Sequence, residues 1–233
     1  VLRSWLDHPD PHVRRLVSEG TRPRLPWGQQ VKALFADPPP TLDLLSALRQ
    51  DPELYVRRSV ANHVGDLAKD HPDLAVALVA GWVAQNGTAE SRWIARHGLR
   101  HLIKKGHPGA LAALGYGPPK VALEVFHVEP SVFTVGGHLH TTAGLRSESD
   151  EDQPLVVDLV IGFVKARGGA RAPKTFKWVT PTLKAGGAWN AVKRLPLKPV
   201  STRRYHPGTH SVSLQVNGRV LAEAEFELRL PEG

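Results

Sequence analysis

The sequence predicts a helical unit followed by a β unit, and three observations carry the prediction. Val13-Arg14-Arg15-Leu16-Val17 recurs 43 residues later as Val56-Arg57-Arg58-Ser59-Val60, a spacing that suits a repeat of paired helices. After Tyr116-Gly117-Pro118-Pro119 the apolar period shortens toward two, as strands require. Near the end, Asn217-Gly218 joins two such runs, a strong signal for a two-residue hairpin. The boundary is placed at Pro118-Pro119, which divides the chain into residues 1–117 and 118–233.

In the first part, Asp10-Pro11 and Asp51-Pro52 each set an N-cap and a first-turn proline ahead of an apolar-periodic run. Thr88, followed by Glu90 and Ser91, is a weaker start. In the helix expected from Pro52 to Lys69, Val56, Val60, Val64 and Leu67 form the apolar stripe. Arg58, Asn62 and Asp66 form a second stripe well round from it, and Arg15 and Glu19 match it in the preceding repeat. A looser third copy, Arg92-Trp93-Ile94-Ala95, aligns 34 residues beyond Arg58. That alignment makes Arg92, Arg96 and Arg100 the third stripe, with Lys104 and Lys105 beyond it. Such repeats stack into an α-solenoid of HEAT type, with equivalent stripes side by side on one curved surface. Like charges at i,i+4 repel, so the arginine triplet points to a polyanionic partner. The link from Ser18 to Gly28 holds two prolines and two glycines, and carries Arg22, Arg24 and Trp27 close to Glu19.

In the second part, Val156, Leu159, Ile161 and Phe163 lie in one apolar run. Ser211, Ser213, Gln215 and Asn217 alternate with Val212, Leu214 and Val216. Seven or so strands over residues 120–230 predict a two-sheet sandwich whose last hairpin is immunoglobulin-like. His210 stands where a corner tyrosine is often found, and Trp178 and Trp189 are read as core or edge aromatics. His138-Leu139-His140 and the pair His206 and His210 lack an evident third ligand, so no metal site is expected.

Composition narrows the function. The chain has 233 residues, with 30 Lys and Arg against 22 Asp and Glu, a formal charge of +8. Each part holds 15 basic and 11 acidic residues. Yet Leu159 to Ala222, 64 residues, contain no acid and twelve cations, a field that attracts polyanions. Arg167-Gly168-Gly169-Ala170-Arg171 reads as a basic hairpin tip within it. The absence of cysteine excludes disulfides, thiol catalysis and cysteine-ligated metals. No apolar run approaches the length of a membrane span. The chain starts at Val1 and contains no methionine, so residues upstream are expected.

The run from His12 to Trp27 resembles a signature of the AlkC branch of bacterial alkylpurine DNA glycosylases, HEAT-like-repeat enzymes related to AlkD. Tyr55 to Val64, with Asp66, Lys69, Asp70, His71 and Pro72, is similar to the same branch. So are Arg96-His97 and Leu102-Ile103-Lys104-Lys105-Gly106. Some members carry a C-terminal immunoglobulin-like domain. The resemblance implies excision of cationic methylated bases, such as 3-methyladenine and 3-methylcytosine, from double-stranded DNA. It makes Glu19 and Asp66 the catalytic acids and Trp27 their aromatic partner, and it implies reading of the lesion without full base flipping. It further implies a monomeric bacterial protein of the cytoplasm, associated with the nucleoid, that needs no cofactor.

The residue types suit that chemistry. Cleavage of an N-glycosidic bond builds positive charge on the deoxyribose, which nearby carboxylates stabilise while one of them activates water. A cationic base leaves as a neutral molecule, so no general acid is needed. A tryptophan can lie against the cation. Arg15, Arg22, Arg24, Arg58, Arg92, Arg96, Arg100, Lys104 and Lys105, with Arg167 and Arg171 in the second part, are the candidate phosphate contacts. Arg15 and Arg58 are equally readable as structural arginines between repeats. Residues 118–233 are expected to clamp DNA. Two other functions stay open: a non-catalytic binder of distorted DNA, and a protein-interaction scaffold.

Overall fold

The computed structural model describes residues 1–30, 32–36, 39–85, 87–167, 169, 173–199, 201 and 204–231. The chain divides into two compact units, Val1–Gly115 and Tyr116–Gly233.

The first unit is helical. A 3₁₀ turn at Leu2–Trp5 precedes α1 (Pro11–Glu19), α2 (Ala33–Ala36), α3 (Pro39–Leu48), α4 (Leu54–Asp70), α5 (Pro72–Gln85), α6 (Ala89–Gly98), α7 (Arg100–Lys104) and α8 (Pro108–Ala112). Asp10 caps α1 by accepting from the His12 amide at 2.8 Å, with Pro11 in the first turn. Thr88 caps α6 in the same way, accepting from the Ser91 amide at 3.2 Å.

The expected start of α4 at Pro52 is displaced to Leu54, with Glu53 as cap residue. Asp51 is drawn into other work. It accepts from the Glu53 amide at 2.9 Å and from two nitrogens of Arg14, at 2.6 and 3.1 Å. The apolar stripe of α4 is as predicted, with Val56, Val60, Val64 and Leu67 all buried. It packs between α1, α5 and α6, so α4 is the central element of the unit.

One arginine per repeat performs the same structural task. Arg14 donates through Nη1 to the carbonyls of His8 and Pro9, and Arg57 donates likewise to those of Asp51 and Pro52. Arg92 donates through Nε to the carbonyl of Gly87, five residues back, as Pro9 and Pro52 lie five back from Arg14 and Arg57. The structural arginines are therefore the first of each Arg-Arg pair, not Arg15 and Arg58. Arg92 is the partner of Arg57, 35 residues on, rather than of Arg58. Burial agrees with this register: Val56, Ser59 and Val60 correspond to Ser91, Ile94 and Ala95, all buried. The third stripe is thus Trp93, His97 and His101, and the rings of Trp93 and His97 stack at 5.0 Å.

The second unit is a β-sandwich. Its strands are β1 (Val121–Glu129), β2 (Val132–Thr134), β3 (His138–Ser147), β4 (Gln153–Pro154), β5 (Val157–Gly162), β6 (Lys174–Val179), β7 (Thr182–Leu183), β8 (Ala188–Pro196), β9 (Gly208–Val216) and β10 (Arg219–Arg229). One sheet has the order β1-β3-β8, the other β2-β10-β9-β5-β6, and β4 pairs with β7 alone. Inward residues from both main sheets, among them Leu139, Leu145, Leu159, Ile161, Leu214 and Phe226, make one core.

The Asn217-Gly218 hairpin forms as predicted between β9 and β10, with φ of 42° and 82°. Both residues need positive φ in such a turn, which Asn and Gly tolerate. The Asn217 side chain also accepts from the Val156 amide and donates to the carbonyls of Gly117 and Pro154. His210 is fully buried. Its Nδ1 accepts from the Val164 amide, so Nε2 carries the proton that goes to the His206 carbonyl. Its ring stacks on Phe226. Trp178 and Trp189 meet edge to face at 5.4 Å against the core.

Candidate active site

The site is built where the end of α1 meets the middle of α4. Past Glu19 the chain turns: Gly20 N–H reaches the Leu16 carbonyl at 2.8 Å, and the Thr21 hydroxyl reaches that of Val17 at 2.8 Å. His63, buried on α4, holds this turn by donating from Nδ1 to the Ser18 carbonyl at 3.1 Å. Burial pushes its pKa down to about 4, so the ring is neutral.

This turn carries Arg22 inward, where it is 8% exposed. Its Nε lies 2.8 Å from Asp66 Oδ2 and its Nη1 2.8 Å from Glu19 Oε1. One guanidinium thus bridges two carboxylates that are 47 residues apart in the chain. Glu19 Oε2 accepts from the Ser59 hydroxyl at 2.7 Å and lies 3.3 Å from Arg15 Nη2. Asp66 Oδ1 lies 3.3 Å from Lys69 Nζ. Burial alone would raise the pKa of Glu19, but the Ser59 hydroxyl, Arg22 and Arg15 outweigh it and hold the carboxyl below its ordinary value. Burial likewise opposes the charge of Arg22, and the two carboxylates overcome it. Glu19 is therefore an anion at neutral pH.

Asp66 opens on a cleft of about 410 Å³, lined also by Arg22, Arg24, Asn62, Lys69, Arg100, His101 and Lys104. Gly65 and Gly98 line it as well. A side chain at Gly98 would stand 2.7 Å from Val64 Cγ1, so glycine is what lets α6 approach α4 this closely. Asn62, one turn before Asp66, receives His97 Nε2 at 3.2 Å. Burial and the charges of Arg100 and Arg58 lower the pKa of His97. Burial, then Lys105, Lys69, Lys104 and Arg100, lower that of His101. The cleft is a cationic surface with a carboxylate at its head.

The predicted phosphate contacts divide into groups. Arg22, Arg24, Arg100 and Lys104 line the cleft, and Arg58, Arg96 and Lys105 are exposed. Arg22, however, is also enclosed by the two acids and is 8% exposed. Arg24 is held on Asp70 by two bonds of 2.8 and 2.7 Å. Arg15 lies over the Tyr55 ring at 4.6 Å, and Arg92 is tied to Gly87. Trp27 is fully exposed at φ 63°. In the sandwich Arg167 is exposed, while Arg171 lies outside the described residues. Among the described residues, no group of three or more His, Asp or Glu is placed to hold a metal ion. No described helix is long and apolar enough to cross a membrane.

Ser59, Lys69 and His101 escaped the sequence reading. His101 had a usable signal, since at the true repeat offset of 35 it is the counterpart of Asp66. Ser59 and Lys69 stood in the AlkC-like motif without a role, because their roles depend on where Glu19 and Asp66 end up in space.

These features define a HEAT-like-repeat unit with an ion-bridged carboxylate pair, followed by an immunoglobulin-like domain. Residues 122–230 match the family described as Uncharacterised protein YhaZ, C-terminal Ig-like domain. The chain is 37% identical over 228 residues to the Uncharacterized protein YhaZ of Bacillus subtilis, covering 97% of this chain and 62% of that one. It is 41% identical to the alkylpurine DNA glycosylase AlkC of Pseudomonas fluorescens, solved bound to DNA containing an abasic site analog. The TM-score is 0.91, over 98% of this chain and 63% of that one. The chain has an AlkC-like fold and similar sequence, with a C-terminal immunoglobulin-like domain, as its motifs indicated. It spans a little under two thirds of the length of both relatives.

Proposed function

We propose that the chain carries the catalytic part of a DNA repair glycosylase that excises cationic N-methylated bases, 3-methyladenine and 3-methylcytosine among them. The observation that carries the reading is the pair Glu19 and Asp66, fixed on one buried guanidinium, with Asp66 lining a cationic cleft. A surface built only to hold phosphate would keep carboxylates away. Likeness to AlkC, solved on abasic-site DNA, supports the same assignment.

In this mechanism phosphates lie along Arg58, Arg96, Arg100, Lys104 and Lys105, and the deoxyribose of the damaged nucleotide faces Asp66. The C1′–N bond breaks and its electron pair leaves with the base, which turns neutral. The oxocarbenium-like sugar is stabilised by the carboxylates. Water adds to C1′ and gives its proton to a carboxylate. Trp27, exposed on the same link as Arg22, lies against the cationic base or its sugar. The lesion is read without being flipped fully into a pocket. Residues 118–233 clamp the duplex, with the turn at Arg167 against a phosphate.

The test is release of free base from DNA containing 3-methyladenine. Glu19→Gln and Asp66→Asn should abolish release and keep binding. Binding without release by the wild-type chain would instead favour a passive reader of distorted DNA, and no binding would favour a scaffold. Absence of a borohydride-trapped adduct would mark the enzyme as monofunctional.

A further inference from the structure

Arg22 is the one cation of the cleft that both carboxylates share. It is 8% exposed, and its Nε and Nη1 point at different acids, each at 2.8 Å. A guanidinium can do this because its donors diverge in one rigid plane, whereas an ammonium is a single point charge. Three donors of the plane remain beyond those two atoms' bonds, but the side chain has almost no exposed surface on which to meet a phosphate. Burying two carboxylates side by side without a cation between them would be costly.

We propose that Arg22 is a positioning residue for base excision: it fixes Glu19 and Asp66 relative to each other and contributes little to DNA affinity. The inference rests on the glycosylase reading. The charged and titratable groups around the pair are Arg15 on α1, His63 and Lys69 on α4, Arg22 and Arg24 on the link, and Arg100, His101 and Lys104 across the cleft from Asp66. Lys69 is half exposed and Arg15 one third exposed, so both remain hydrated. Neither replaces the bridge, because each touches only one acid.

The experiment compares Arg22→Lys with Arg22→Gln and with Arg58→Gln, an exposed cation that serves as the phosphate-contact control. Single-turnover release of 3-methyladenine should fall about 100-fold in Arg22→Gln and about tenfold in Arg22→Lys, as expected when reacting groups drift by an ångström. The log–log salt slope of DNA binding should stay at the wild-type value in both. In Arg58→Gln the slope should shrink by about one unit. Carbon NMR of the Glu19 carboxyl should show its pKa rising in Arg22→Gln, a readout that needs no turnover. Arg22→Lys keeps the buried charge and so guards against a failure to fold. If folded Arg22→Lys releases base at the wild-type rate, or if its salt slope shrinks by a unit, the positioning role is overturned. If the wild-type chain releases no base at all, the glycosylase reading fails, and an unmoved Glu19 pKa in Arg22→Gln would then overturn the bridge separately.

Discussion

The two units hold equal charge and use it differently. Each contains 15 basic and 11 acidic residues. The helical unit turns acids inward onto arginines: Asp51 on Arg14, and Glu19 and Asp66 on Arg22, all with side chains 16% exposed or less. In the sandwich, Lys184 with Asp152 and Arg146 with Glu124 pair at the surface. The core there is apolar, and Asp158, His210 and Asn217 are among the polar groups buried with it. Net charge therefore says little about where electrostatic energy is stored. Enclosed pairs organise a site, whereas open ones set the field that a polyanion meets at a distance.

The sharpest way to break this contrast is at the enclosed carboxylates. Glu19→Gln and Asp66→Asn should each lower single-turnover excision about 100- to 1000-fold, the range for losing one electrostatic contact to a transition state. Affinity for damaged DNA should hold or rise slightly, since a negative charge has been removed from a cationic cleft. Quenched-flow release assays paired with fluorescence anisotropy measure both. Retention of the wild-type rate in either variant would return the acids to a structural role.

A second test sets an enclosed pair against an open one. Asp51→Ala leaves Arg14 without its bidentate partner at a place where the two side chains are 12% and 3% exposed. The cost should be about 3 kcal/mol. Glu124→Ala removes the partner of Arg146, whose side chain is 56% exposed, and should cost under about 1 kcal/mol. Thermal and urea melts of both variants give the comparison. Equal losses would mean that the enclosure of Asp51 has no energetic consequence.

The same contrast marks what could be read in the sequence. The Val-Arg-Arg repeat, the caps at Asp10 and Thr88 and the Asn217-Gly218 turn are local patterns whose physics spans a few residues, and they formed as expected. The acids and their cationic setting were also visible, through the AlkC-like motifs. Which arginine of each pair faces inward was not, because the donor to the carbonyls of Pro9 and Pro52 is selected by the geometry of the preceding turn. The third repeat slipped by one residue for the same reason, and with it His101 was missed. Arg22 looked like a surface cation since its two partners come from either side of a link whose path only the packed helices determine.

Buried histidines allow a test on the scale of stability. His63 holds the α1 turn in the helical unit and His210 holds its corner in the sandwich. Burial lowers the pKa of both, and at His210 it outweighs the hydrogen bond to the His206 carbonyl, which raises it. A depressed folded pKa means that the unfolded chain binds the proton first. For His63 the stability is fully present above its ordinary value of 6.5 and is lost as pH falls toward about 4. Between pH 7 and pH 5 the loss should be about 2 kcal/mol. His63→Gln keeps a donor for the Ser18 carbonyl and should flatten that slope for the helical unit alone. An unchanged slope, followed by amide exchange of α1 and α4, would show that another group carries it.

The smallest effect should come from an open cation. Arg167 is exposed at a turn in which the Lys165 amide reaches the Gly169 carbonyl, within the acid-free stretch. If the sandwich acts as a clamp, Arg167→Gln should weaken binding only a few-fold and equally for damaged and intact duplex. The log–log salt slope should shrink by about one unit. Single-turnover release at saturating protein should not change, because this residue never meets the reacting sugar. Deleting residues 118–233 should add such losses together, several units of slope at once. An intact slope after Arg167→Gln would move the clamp to other strands, and an intact slope after the deletion would assign the whole DNA contact to the helical unit. In that last case the acid-free field of the sandwich would serve some polyanion other than the damaged duplex, and the two units would divide partners as well as charge.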